Sequence, residues 1–99
     1  MSTVCELPAI DVHGHYGQYA QPGTHPLKER FMSGDPAVIV ARAKASGIWH
    51  TVVSPLRALL PRGQADAVAG NEEARRVVDE TDGLLQWVVL NPLQLKTFE

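Results

Sequence analysis

Apolar residues fall in short blocks along the chain, and the period within each block predicts an element. Ile10 and Val12 alternate with Asp11, His13 and His15, and Pro8 stands just upstream, where a strand tolerates it. That pattern predicts a strand over residues 10–15. Residues 16–34 carry Pro22, Gly23, Pro26 and Gly34 and read as one long loop with no element running through it. Asp35-Pro36 opens a helix, because Asp35 can cap the first free N–H groups and Pro36 suits the first helical position. Arg42 and Lys44 lie late in this helix, where they complement its dipole, and Gly47 stops it. A second strand is predicted over residues 49–54, ended by Pro55. After the loop "PLRALLPRGQ", a helix should run from residue 65 or 66 to Thr81. Ala67, Asn71, Ala74 and Val78 mark one face of it, and Glu72–Arg76 and Arg76–Glu80 form i,i+4 pairs on another. Asp82-Gly83 turns the chain into a third strand over residues 84–90, stopped by Asn91-Pro92. The final "LQLKTFE" reads as a loop and the first turn of a further helix.

Strand, helix, strand, helix, strand in that order implies parallel strands joined by right-handed crossovers, an α/β class. The strands are apolar and rich in β-branched residues. Their predicted starts, near residues 10, 49 and 84, are about 35 to 40 residues apart, so eight such units would need roughly 300 residues, the size of an eight-stranded βα barrel. The expected fold is therefore the first three βα units of a (β/α)8 TIM barrel, with residues 1–99 forming one partial domain and the barrel incomplete. The alternative is a small doubly wound sheet, with strands on both sides of the first and helices on both faces.

Composition narrows the function classes. Apolar residues make up 44% and charged residues 20% of the 99, with a formal net charge of −2, which is a globular rather than a disordered balance. No basic block exists, which argues against a nucleic-acid partner. No run of about 18 apolar residues exists, so no membrane span is expected. The opening "MSTVCELPAI" has no basic region followed by an apolar core and does not read as a secretory signal. The one cysteine, Cys5, cannot form an internal disulfide and reads as a small residue near a terminus. A reducing, cytoplasmic location is the default.

The chemistry concentrates in "IDVHGH". Residues two apart in a strand share a face, so Asp11, His13 and His15 are expected together, at the C-terminal end of the strand. Parallel α/β folds keep their active sites at that end. Two neutral imidazoles side by side are a natural half-site for a divalent transition metal such as zinc. Gly14 keeps the chain thin between them.

"IDVHGH" resembles the first-strand motif of the amidohydrolase superfamily. The nearer likeness is to its amidohydrolase-related branch of small-molecule hydrolases and zinc-dependent decarboxylases. "GNEEARRVVDETDGLLQWVVLNP" is similar to the second helix and third strand of that branch, and the resemblance covers about residues 8 to 95. It implies that His13 and His15 bind the metal. The metal would activate water for hydrolysis of a small-molecule ester, lactone or amide, or polarise a substrate for decarboxylation. The family's other ligands and its catalytic acid lie on later strands, which this chain does not contain. The resemblance thus implies the N-terminal part of such an enzyme, cut within its third helix.

Other residues carry weaker signals. Ser54 and Asn91 stand at the ends of the second and third strands, where they either line a pocket or cap the turn. Asp11 either orients an imidazole or satisfies backbone. His25 reads as a solvated loop residue and His50 as structural. Arg57 and Arg62 face solvent or a substrate carboxylate. Trp49 and Trp87 read as core or helix-facing bulk. Asn71, on an apolar stripe, should bond backbone between helix and sheet, since a buried amide needs partners. A catalytically silent reading stands beside the enzymatic one: three parallel strands leave two open edges and an uncovered apolar face, which predicts self-association.

Overall fold

The computed structural model describes residues 8–19 and 21–99; Cys5 lies outside them. Strand β1 spans Ala9–Tyr16, helix α1 Pro26–Met32, helix α2 Pro36–Ala45, strand β2 Ile48–Pro55, helix α3 Ala67–Glu80 and strand β3 Leu84–Gln86. Short 3₁₀ turns cover Leu56–Ala58 and Leu95–Phe98. The strands form one open, parallel sheet in the order β1-β2-β3. β1 is an edge strand rather than a central one, so the doubly wound alternative does not form among the described residues.

The signals that start and stop α2 and α3 act as the residue types imply. Asp35 accepts the Val38 N–H at 3.0 Å, and Asp66 accepts the Ala69 N–H at 3.0 Å. Gly47 follows α2 with φ 77°, a left-handed conformation that glycine adopts without cost. Two elements differ from expectation. The stretch 16–34 is not one loop, because α1 interrupts it. Pro26 is a helix-initiating proline, and His25 caps α1, its Nδ1 accepting the Leu27 N–H at 3.0 Å. β3 ends at Gln86 rather than at Leu90. The Trp87 N–H adds one more sheet bond, to the Val53 carbonyl at 2.8 Å. Beyond it the backbone of Val89 turns to α3: its N–H donates to Asn71 Oδ1 and its carbonyl accepts from Asn71 Nδ2, both at 2.9 Å. Asn71 thus bonds backbone between helix and sheet, as its place on the stripe implies.

The core lies on one face of the sheet. Tyr16, Val53, Leu84 and Ala74 are buried together, with Ile39 and Val40 of α2 and Val77 and Val78 of α3 packed against them. Gly70 lets α3 approach closely: a Cβ there would stand 2.6 Å from Ala58 Cβ and 2.9 Å from Ala58 Cα. The opposite face stays open. Trp49 and Trp87 are exposed, not core, and Trp87 follows Leu85 at a spacing of two on the open face. Trp87 lies across β2 instead, and its Nε1 donates to the Val12 carbonyl at 2.6 Å. The Cα radius of gyration, 14.7 Å, exceeds the ~13 Å typical of a closed domain of this length. The i,i+4 pairs expected on α3 do not close. Among the described residues the ion pair that forms is Arg57–Glu73, at 2.8 Å. Exposed pairs gain little and cost side-chain entropy, so local spacing alone does not make them form. Among the described residues no helix is long and apolar enough to cross a membrane.

Candidate metal half-site at the end of the first strand

His13 and His15 stand side by side near the C-terminal end of β1, with ring centroids 5.1 Å apart and planes at 82°. His15 pairs with Ser54 in the parallel ladder, so both project from the same face of the sheet. Gly14 and Tyr16 alternate with His15 and pair with Val53 and Pro55. Val53 and Tyr16 belong to the helix-covered core, so His15 alternates onto the open face, with the His13 ring against it. Gly14 is required where it stands: a Cβ there would meet buried Thr51 Cγ2 at 2.6 Å.

The His15 ring is fixed by β2. Its Nδ1 lies 3.2 Å from the Ser54 carbonyl oxygen and 3.0 Å from Ser54 Oγ. A carbonyl can only accept, so the tautomer that satisfies it carries the proton on Nδ1 and leaves Nε2 bare. Metal-ligating histidines are held this way, through the ring nitrogen that does not bind the metal. His13 is exposed.

Asp11 is out of register with them. The β1–β2 register shifts between Asp11 and Gly14, so Asp11 pairs with Thr51 while Gly14 pairs with Val53. The extra residue breaks the period of two. Asp11 lines the hollow between β1 and α2, with His15, Arg42 and Thr51. Its Oδ1 accepts the His13 N–H at 3.0 Å. Of its two expected roles, satisfying backbone is the one it fills. Asn91 also stands apart, its Oδ1 accepting the Leu93 N–H at 2.9 Å within its own turn. Of the expected site residues, the fold therefore brings together His13, His15 and Ser54. His50 sits at the start of β2, T-shaped against Trp49 at 4.1 Å, with its Nδ1 buried and unpartnered. Arg62 contributes its backbone N–H, which donates to Gln21 Oε1 at 3.4 Å.

One cluster is not legible in the sequence. On the helix side of the same strand end, Tyr16 Oη donates to Glu73 Oε1 at 3.2 Å, and Arg57 Nη1 donates to Glu73 Oε2 at 2.8 Å. Burial, then the Glu73 carboxylate, holds the Tyr16 hydroxyl well above its ordinary range. The cluster ties β1, the turn after β2 and α3 together behind the histidines. Its only sequence signal is Tyr16 next to His15, on the opposite face of a strand end.

The described residues contain no group of three His, Cys, Asp or Glu side chains that could hold a metal ion together. No protein-family model, curated protein or solved structure matches the chain.

Proposed function

We propose that His13 and His15 are two ligands of a divalent metal, most naturally zinc, in a hydrolase of the amidohydrolase-related type. In this reading β1–β3 are the first strands of a barrel. The observation that carries it is the pairing of the two rings on the open face, at the end of a parallel strand. Two imidazoles on one tetrahedral zinc, with Zn–N about 2.1 Å, have centroids about 5 Å apart. The separation of His13 and His15 is 5.1 Å. The donor set also fits: two imidazoles, one held by Ser54 with its Nε2 free.

A bound metal would supply Lewis acidity and an activated water. The chain's own residues do the rest of what this reading asks of them. Ser54 keeps His15 in one tautomer, Asp11 holds the irregular backbone below His13, and the Tyr16–Glu73–Arg57 cluster braces the strand end. A catalytic zinc takes about three protein ligands, so the remaining ligands and the catalytic acid come from outside the described residues. The substrate is a small molecule with an ester, lactone or amide carbonyl.

Zinc titration of the chain, of His13→Ala and of His15→Ala tests the reading. Binding should weaken in each variant by more than the roughly 10–100-fold that losing an outer-shell partner costs. Unchanged zinc affinity in both histidine variants would overturn it.

A further inference from the structure

The hollow between β1 and α2 has a volume of about 280 Å³. Drug-sized ligands take about 300–1,000 Å³, so this space suits a smaller molecule. Its lining carries one group of each charge, Asp11 from β1 and Arg42 from α2. The Asp11 carboxylate is already oriented, because its Oδ1 accepts the His13 N–H at 3.0 Å. Arg42 reaches back along α2, its Nη1 lying 3.6 Å from the place a Cβ would take on Gly34. The two charges do not pair with each other: among the described residues the ion pair that forms is Arg57–Glu73. Ile39, Ala43 and Ile48 supply apolar wall to the same hollow.

We propose that this hollow binds a free aliphatic amino acid, with its ammonium on Asp11, its carboxylate on Arg42 and its side chain against Ile39, Ala43 and Ile48. The unpaired charges select the class. An anion alone meets the Asp11 carboxylate, and a cation alone, a metal ion included, meets the Arg42 guanidinium; like charges in one hollow repel. A molecule that carries both signs gains at both ends, and each contact is a charge-assisted hydrogen bond, the stronger kind. Guanidinium and carboxylate can meet through two parallel bonds, which fixes the orientation of the ligand as well as holding it. The Asp11 carboxylate keeps lone pairs for an ammonium beside the one that the His13 N–H takes. The apolar wall favours a branched side chain over glycine, because each methylene that leaves water adds to binding. The metal half-site takes no part in this contact, although His15 also lines the hollow.

The test titrates the whole chain, with chelator present, and reads calorimetry and amide NMR shifts. The probes are leucine, glycine, isocaproate, which is leucine without its ammonium, and isoamylamine, which is leucine without its carboxylate. Leucine should bind and shift amides of β1 and α2. Isocaproate and isoamylamine should each bind about tenfold more weakly or worse, the scale of one lost hydrogen bond to a charged group. Asp11→Asn keeps an oxygen for the His13 N–H, and Arg42→Gln keeps a polar stem, so each should lose about tenfold in leucine affinity with an unchanged circular dichroism spectrum. His13→Ala should bind leucine as the parent does, so failure of the metal half-site and failure of this site are read separately. Glycine or a single-charge analogue binding as tightly as leucine would overturn the contact that it lacks. No leucine binding at millimolar concentration, or full binding by both variants, would overturn the site. A leucine signal that appears only when zinc replaces the chelator would put the amino acid on the metal and overturn the hollow as its seat.

Discussion

Replacing Asn71 by Ala removes two hydrogen bonds with one substitution. Asn71 Nδ2 donates to the Val89 carbonyl and Asn71 Oδ1 accepts the Val89 N–H, each at 2.9 Å. A neutral hydrogen bond contributes about 0.5–1.5 kcal/mol net, so the pair is worth about 1–3 kcal/mol. Val89 is half-buried, so water partly replaces the lost partners and the upper end is not reached. Ala is also a better helix former than Asn by about 0.5 kcal/mol, which offsets part of the loss. The expected destabilisation is about 1–2 kcal/mol, and each kcal/mol lowers Tm by roughly 4–8 °C in a domain of this length. Urea unfolding followed by circular dichroism reads the free energy directly. Asn71→Asp sharpens the test. It keeps the acceptor but sets a carboxylate against the Val89 carbonyl, so at neutral pH it should be at least as unstable as Ala. On acidification the carboxyl gains a proton to donate, and part of the loss should return. An Asn71→Ala protein within about 0.3 kcal/mol of the parent, with the same denaturant slope, would refute the reasoning.

Gly70→Ala should destabilise although Ala favours helices by about 1 kcal/mol, because the new Cβ meets Ala58 backbone that cannot yield, and overpacking costs about 1–3 kcal/mol; a raised Tm would contradict the close approach. The Tyr16 hydroxyl is neutral in the folded chain well above the pH, about 10, at which it ionises in the unfolded chain. Its contribution is therefore constant below about pH 10 and is lost as pH rises beyond it. Unfolding free energy measured from pH 8 upward should fall in the parent and fall less steeply in Tyr16→Phe; equal slopes would remove Tyr16 as the cause.

Local chemistry was readable wherever one residue type answers one local need. Asp35 caps α2 because a short carboxylate reaches two or three residues ahead, and Pro36 and Gly47 act through their own φ angles. The parallel order of the strands followed from the alternation of strand and helix, and the work of Asn71 followed from an amide on an apolar stripe. His13 and His15 were visible as a pair for the same reason: two residues apart on a strand end is a local relation, and it survives folding.

What the sequence could not convey depends on distant chain. The period of two assumes an unbroken ladder, and the register shift against β2 takes Asp11 out of step with His15. β3 stops at Gln86 because the Val89 backbone finds its partners on α3, which no pattern within residues 84–90 records. Trp87 reads as core because large apolar side chains usually find a covering layer, and here the helices cover the other face. The Tyr16–Glu73–Arg57 cluster joins residues up to 57 positions apart. The sequence by itself determined α2, α3, the parallel order of the strands and the two imidazoles. Tertiary structure decided which face was buried and which neighbours those imidazoles kept, because facing and hydrogen-bond partnership are properties of the whole sheet and not of any one strand.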